Sequence, residues 1–291
     1  MKKKVVAAIA FLLGACALVY PRASDYLARI NGSKIVQEYT KKITQLDSAE
    51  KSRIWAGAES YNGLLSSQPL HGFLLESAYA DMSDEYRQAL NIGGIMGYVD
   101  IPKLDIYLPI YHGTGDDALG KGAGHLEGSA LPIGGISRHS VITGHSGLVH
   151  ARMFTDLPAL AVGDLFYIHV LGEVMAYEVG KISTIDPGAT DELAPFDAMD
   201  YCTLMTCTPY GINSHRLLVR GERVAYSPEI KESIQKIPES GVDVTVVWAA
   251  FFTATMVMIM ITTTITVSAK TKNQFFIINA AIEASPYNDD I

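Results

Sequence analysis

Basic residues are scarce in this chain of 291 residues, and the sequence has no internal repeat and no low-complexity segment. It carries 23 Lys and Arg against 31 Asp and Glu, for a formal net charge of −8. Its only dense basic cluster lies at residues 2–4. Nucleic-acid binding requires a basic surface that contacts many phosphates, so we exclude nucleic acid as a partner. The length suits one medium-sized domain with additional segments, or at most two small domains.

Charge is absent altogether from two stretches of the chain. Residues 5–20 and 244–269 are runs of 16 and 26 uncharged residues. As helices they would be about 24 Å and about 39 Å long. The first length is typical of a signal peptide or signal anchor, and the second predicts a transmembrane helix. A buried core helix is the alternative for the second run.

The lysines beside these runs predict an orientation. Three lysines at residues 2–4 precede the first run, and Lys270 and Lys272 follow the second. Positively charged flanks stay on the cytoplasmic side of a membrane. We therefore expect a cell-membrane protein with residues 22–243 outside, and with both termini in the cytoplasm if the N-terminal segment is uncleaved.

Cleavage or lipidation of the N-terminal segment stays open. Residues 15–17 (Ala-Cys-Ala) resemble a small-residue cleavage site, and residues 13–16 loosely resemble a lipoprotein box. An uncleaved anchor is the favoured interpretation, because Cys16 lies deep in the apolar run.

The region after the first run predicts a helical arm. Apolar residues recur at helical spacing between residues 22 and 68, for example at Val36, Tyr39 and Ile43. Residues 66–95 lose this spacing and contain turn-forming residues, so we expect a surface loop there.

From Met96 onward the sequence changes to short segments rich in β-branched and aromatic residues, separated by Gly, Pro and Asn. The segments are 96–102, 140–143, 164–170, 174–185, 201–206 and 217–220. Such spacing, with no long helix between the segments, predicts a mainly β fold, either an antiparallel barrel or a sandwich. The predicted organisation is a signal peptide or anchor at 1–21, a helical arm and loop at 22–95, a β domain at 96–226, a polar stalk at 227–243, a transmembrane helix at 244–269 and a cytoplasmic tail at 270–291.

Two of the three cysteines, Cys202 and Cys207, lie in the predicted extracellular domain, where a disulfide would normally be suspected. Residues five apart on one strand are separated by roughly 16 Å and face opposite sides, whereas a disulfide needs Cα atoms within about 7 Å. We therefore expect at least one free thiol. Cys202 has the setting of a core residue, whereas turn residues 208–211 follow Cys207 at once and predict an accessible strand end.

A nucleophilic thiol needs a base or cation that stabilises its thiolate, and a donor for the oxyanion. His145 ends a β-branched run and has a glycine on either side, which leaves room for close approach. Arg216 follows the turn after Cys207, so a hairpin would return its guanidinium towards the thiol. His215 would face the other way from Arg216. The residues alone leave this Cys/His/Arg set as one hypothesis.

The other histidines fit structural roles, and none shows the spacing expected of a zinc site, so no metal is predicted. They are His112, His125, His139, His150 and His169.

Residues 203–221 (TLMTCTPYGINSHRLLVRG) resemble the active-site strand pair of class C, pilus-polymerising sortases. The resemblance continues through residues 110–114 (IYHGT), 124–129 (GHLEGS) and 143–148 (TGHSGL). Residues 58–65 resemble the helical arm that precedes the barrel in these enzymes. The resemblance covers about residues 30–226 of the sequence.

This resemblance implies an eight-stranded closed sortase-type β barrel, with an N-terminal helical arm and a C-terminal transmembrane helix. It implies Cys207 as nucleophile, His145 as its acid/base partner, Arg216 as oxyanion stabiliser and Thr206 as a substrate-binding residue. The implied substrate is a pilin subunit with an LPxTG-like sorting signal, cleaved at its Thr-Gly bond through a thioester. The implied acceptor is a lysine amine of the next pilin, and no cofactor is implied.

One motif of class C sortases is missing. They usually carry an Asp-Pro-aromatic lid upstream of the barrel, and this sequence has no such tripeptide. Residues 71–73 (His-Gly-Phe) lie in the corresponding region. Phe73 is therefore either a lid residue that plugs the groove or an ordinary loop aromatic.

Two further functions stay open. A sortase that anchors single surface proteins to peptidoglycan would use the same active-site residues. A non-catalytic, membrane-tethered pilus assembly factor would hold pilin without chemistry, although the presence of Cys207, His145 and Arg216 argues against it.

Overall fold

The computed structural model describes residues 2–65, 82–189, 191–226 and 244–283. The chain divides into two compact units: Met1–Tyr20 together with Gly241–Ile291, and Pro21–Ser240. Every predicted site residue lies in the Pro21–Ser240 unit. Phe73 and the predicted stalk at 227–243 lie outside the described residues.

The helical arm comes first along the chain, and the strands of the β domain follow it between Gly97 and Val224. The helices are α1 (Lys2–Gln45), α2 (Ser48–Leu65), α3 (Asp84–Gln88), α4 (Asp116–Leu119) and α5 (Val244–Glu283). The strands are β1 (Gly97–Ile101), β2 (Ile106–His112), β3 (Ala123–His125), β4 (Arg138–Thr143), β5 (Leu165–Val170), β6 (Glu173–Ile185), β7 (Asp200–Thr208) and β8 (His215–Val224). Short 3₁₀ helices lie at Pro102–Leu104, Leu157–Ala159 and Asp191–Leu193.

The strands close into a barrel in the order β1-β2-β3-β4-β7-β8-β6-β5. This confirms the eight-stranded closed barrel and removes the sandwich alternative. The expectation of a purely antiparallel sheet is wrong, because β2 pairs with β3, and β4 with β7, in parallel. Parallel neighbours need a crossover connection. Here α4 lies between β2 and β3, and β5 and β6 lie between β4 and β7.

Alternation along β7 places its side chains on two faces. Cys202 and Leu204 are fully buried in the main core. Met205 belongs to a second, smaller cluster on the opposite face. By the same alternation Thr206 continues the core face, and Cys207 continues the face of Met205.

The arm is joined to the barrel by a buried amide on α2. The Asn62 side chain donates from Nδ2 to the Leu131 carbonyl (3.2 Å), and its Oδ1 accepts from the Leu131 N–H (2.7 Å). The Glu59–Arg138 ion pair lies one helical turn away.

Part of the predicted loop at 66–95 is a helix. α3 begins after Ser83, whose hydroxyl accepts from the Tyr86 N–H. Tyr86 is fully buried, and its hydroxyl lies 2.9 Å from His125 Nδ1. Sequence periodicity missed this helix because five residues are too few to show a helical pattern.

Within the described ranges, no helix is both long and apolar enough to cross a membrane. The predicted transmembrane helix at 244–269 is therefore not supported.

Candidate active site

Cys207 lies near the C-terminal end of β7 and is a free, partly buried thiol. A turn follows it, with a cis peptide bond between Thr208 and Pro209 and a positive φ of 75° at Gly211. Cys202, five residues earlier on the same strand, is also free but completely buried. The two thiols are unpaired, as the strand geometry required, and only Cys207 is accessible.

Arg216 lies directly opposite Cys207 in the antiparallel pair of β7 and β8. Residues that face each other in such a pair project to the same side of the sheet, so the hairpin places the Arg216 side chain on the same face as the thiol. Arg216 Nη1 donates to the Asn213 carbonyl at 3.2 Å and to the His215 carbonyl at 3.1 Å. Because a guanidinium has five N–H donors, others remain for a substrate.

His145 follows the end of β4, whose parallel pairing with β7 ends at Thr143 and Met205. His145 and Cys207 are each two residues beyond this last pair. The Gly144 N–H donates to the Met205 carbonyl at 3.0 Å, so the two chains stay associated past the end of β4. If the register continued past this last pair, His145 would lie alongside Cys207, at the end of the barrel where Arg216 also lies.

The backbone around His145 is fixed by residues that sequence reasoning did not select. The His145 carbonyl accepts from the Phe154 N–H at 3.0 Å, and the Gly147 N–H donates to Thr155 Oγ1 at 3.0 Å. A Cβ on Gly144 would lie 2.6 Å from ring carbons of Phe154. The glycines were noted in the sequence as room for close approach, but nothing in the pattern identified the ring that needs this space.

Burial lowers the pKa of His145, an effect that the carboxylate of Asp116 opposes and that His150 reinforces. Asp116, the first residue of α4, was not selected from the sequence either. A lowered pKa favours a neutral imidazole at neutral pH, which can accept a proton from a thiol or an amine.

Thr206 has a different place from the one expected of a substrate-binding residue. Its side chain is buried, with 1% of its surface exposed, and its hydroxyl donates to the Gly144 carbonyl at 2.7 Å. Its substrate-binding role stays a prediction.

Three of the histidines predicted to have structural roles are buried. Burial lowers the pKa of His125, His139 and His169 to about 4 in each case. His125 Nε2 lies 2.8 Å from the Ala130 carbonyl. His215 is exposed and lies 3.5 Å from Asp186, so it is turned to a different neighbour from Arg216.

Comparison with known proteins identifies a family for this fold. A family model described as Sortase domain matches residues 99–224. The solved structure of sortase C-1 from Streptococcus pneumoniae is similar, with 45% identity, a TM-score of 0.62, and coverage of 66% of this chain and 98% of that chain. Sortase C1 from Streptococcus agalactiae is 40% identical, with a TM-score of 0.60 and coverage of 67% and 100%.

A curated relative, sortase D of Bacillus subtilis (strain 168), is 30% identical over 135 residues. The match covers 45% of this chain and 65% of the relative's length. The chain thus spans about two thirds of the length of this relative, whereas the solved structures are matched over nearly their whole length.

Proposed function

The chain belongs to the sortase family of cysteine transpeptidases, with class C members among its relatives, and on that premise we propose that it joins pilin subunits through Cys207. The proposal is supported by a partly buried thiol near the end of β7, an arginine paired with it in the β7–β8 ladder, and a histidine two residues past the last β4–β7 pair. A thiol, an acid/base group and an oxyanion donor together suit acyl transfer.

In the proposed first half-reaction, neutral His145 accepts the proton of the Cys207 thiol, and the thiolate that forms attacks the threonine carbonyl of an LPxTG-like sorting signal. Arg216 donates hydrogen bonds to the oxyanion that forms. The scissile Thr-Gly bond breaks when protonated His145 delivers its proton to the glycine nitrogen. A thioester between the threonine carbonyl and Cys207 remains, and the downstream peptide leaves as an amine.

In the second half-reaction, a lysine amine of the next pilin attacks the thioester. Neutral His145 accepts the proton that the amine loses, and Cys207 leaves as a thiolate. The product is an isopeptide bond between the lysine nitrogen and the threonine carbonyl. The same chemistry with a peptidoglycan amine as acceptor would anchor single surface proteins, so the acceptor separates the two sortase functions.

The test replaces Cys207 with Ala in the native cell and examines surface pilin on a denaturing gel. Loss of the covalent high-mass ladder supports pilin joining, and an intact ladder in a strain without a second sortase contradicts it. Cys202→Ala is the matched control, because it removes a thiol from the same strand that no substrate can reach. It should leave the ladder intact.

Two alternatives give other results in the same strains. If polymers persist in Cys207→Ala cells but are no longer attached to the wall, the enzyme anchors proteins to peptidoglycan. If the Cys207→Ala chain still supports assembly while deletion of the whole gene does not, the protein is a non-catalytic assembly factor.

We also propose attachment to the cell membrane with the barrel outside. The support is the pair of uncharged runs at 5–20 and 244–269 with lysines beside them. Fractionation tests this, together with protease treatment of intact protoplasts. A chain that is recovered in the soluble fraction, or whose barrel is protected from the protease, would contradict the proposal.

A further inference from the structure

We propose that Thr206 is a positioning residue, whose hydroxyl holds the His145 segment against the strand that carries Cys207. The inference rests on the proposed function, in which Cys207 and His145 act as a pair. It assigns Thr206 a role through His145, in place of the contact with substrate that the sequence predicts.

The direction of the Thr206 side chain supports this assignment. Successive residues on β7 point to opposite faces, so Thr206 shares the face of Leu204 in the main core. Cys207 points the other way, on the face of Met205. With 1% of its surface exposed, Thr206 is covered by protein at a position where a bound peptide would contact its neighbour Cys207.

The hydrogen bonds of Gly144 show what the hydroxyl does. The Gly144 N–H donates to the Met205 carbonyl at 3.0 Å, and the Gly144 carbonyl accepts from Thr206 Oγ1 at 2.7 Å. Both polar groups of Gly144 are therefore bound to consecutive residues of β7. The ladder between β4 and β7 ends at Thr143. These two hydrogen bonds therefore keep the chain attached to β7 as far as Gly144, the residue before His145.

The neighbours of this contact make it selective for a small, polar side chain. Gly144 is buried against the ring of Phe154, and the His145 carbonyl accepts from the Phe154 N–H. Loss of the Thr206 hydroxyl would leave a buried carbonyl without this donor, and the segment could then shift towards another donor. Small displacements of a catalytic group have large effects on rate, whereas they need not alter peptide binding.

The experiment compares Thr206→Val, which has nearly the same shape but no hydroxyl, with Thr206→Ser, which keeps the hydroxyl. Thr203→Val is the matched control. Thr203 lies on the same strand and is equally buried, and its hydroxyl lies 2.6 Å from His139 Nε2, away from the His145 segment. The full chain is assayed for kcat and KM with a fluorogenic Leu-Pro-Glu-Thr-Gly peptide and an amine acceptor. Peptide-resolved alkylation of Cys207 with iodoacetamide is followed against pH, and thermal unfolding is recorded for every variant.

We expect Thr206→Val to lower kcat roughly tenfold or more with little change in KM, and to alter the pH profile of Cys207 alkylation. Thr206→Ser should recover most of kcat. Thr203→Val should lower thermal stability and leave both kcat and the alkylation profile close to those of the original chain.

Several results would overturn the inference. They are an unchanged kcat in Thr206→Val, a rise in KM without a fall in kcat, or an equal loss of kcat in Thr203→Val. If Thr206→Val fails to fold, a Thr206→Ser chain with the low kcat expected of Thr206→Val also overturns it. Cys207→Ala separates these results from failure of the proposed function: activity that survives in Cys207→Ala contradicts the function itself.

Discussion

Cys207 and Arg216 face each other directly across the β7–β8 pair, at the end of the barrel where the hairpin turns. The antiparallel ladder sets this relationship, so the two side chains lie on one face of the sheet without any loop having to close. The turn between them adds a second constraint, because the Asn213 and His215 carbonyls accept from Arg216 Nη1 and limit its rotation.

The planar shape of the Arg216 guanidinium therefore matters for oxyanion stabilisation as well as its charge. We expect Arg216→Ala to lower kcat/KM by roughly a hundredfold to a thousandfold, as removal of an oxyanion donor does in other enzymes. Arg216→Lys should recover only part of this, because an ammonium cannot contact the turn carbonyls and the oxyanion with a fixed fork. Steady-state kinetics on the peptide substrate checks both variants. Arg223→Lys, also on β8, is the control, and an Arg216→Lys enzyme as active as the original would show that charge alone suffices.

Gly144 is required for the close approach of the His145 segment to Phe154. In Gly144→Ala the new Cβ would lie 2.6 Å from the buried ring, so one of the two must move. We expect a lower melting temperature and a fall in kcat of roughly tenfold or more. Calorimetry and peptide cleavage measure the two effects. Gly57→Ala, within α2, where a Cβ would meet nothing within 4 Å, should leave kcat unchanged and should not lower the melting temperature. Normal activity in Gly144→Ala would show that the ring moves and the histidine does not.

Asn62 stabilises the contact between α2 and the barrel through two buried hydrogen bonds to Leu131. Asn62→Ala leaves a buried N–H and a buried carbonyl without these partners, and we expect the free energy of unfolding to fall by about 3 kcal/mol. Urea denaturation measures this. Asn91→Ala also removes two hydrogen bonds, but exposed ones that water replaces, so it should cost much less. An equal loss of unfolding free energy in the two variants would mean that Asn62 is not the main contact between α2 and the barrel.

Asp100 should make the barrel less stable as the pH rises. Its side chain is fully buried, neither carboxyl oxygen has a hydrogen-bond partner within the described residues, and burial raises its pKa to about 7. The folded state therefore keeps a proton that the unfolded chain, with an ordinary aspartate pKa, gives up. The free energy of unfolding therefore falls as the pH rises from the ordinary aspartate pKa to about 7, above which the carboxyl is ionised in the folded state as well.

Asp100→Asn removes this ionisation. We expect its gain in unfolding free energy over the original chain to be greater at about pH 8 than at about pH 5, by roughly 2–3 kcal/mol. Thermal or urea unfolding at the two pH values measures it. The buried histidines are common to both chains, so their opposite pH dependence cancels. Asp117→Asn, at an exposed carboxylate, should show no such change, and an equal effect of Asp100→Asn at both pH values would contradict the prediction.

Much of the active site could be predicted from local sequence. A strand that ends in a thiol and a turn predicts an accessible cysteine, and the length of the turn predicts that Arg216 returns beside it. The free state of Cys202 and Cys207 follows from strand geometry alone. The helix α3 and the strands β2 and β3 were not predicted. They are short, or they overlap residues that were used only for the family resemblance.

The sequence by itself determined which residues of β7 alternate, where that strand turns and which of its two thiols is accessible, because these depend on neighbours within a few residues. Only the tertiary structure decided that β4 and β7 run parallel, since a crossover through β5 and β6 leaves no local signal. That pairing brings His145 to Cys207 from 62 positions away, and it turns Thr206 towards the Gly144 carbonyl rather than towards the face of the thiol. Contacts between segments so far apart depend on packing of the whole barrel, which a pattern of residues along the chain does not specify.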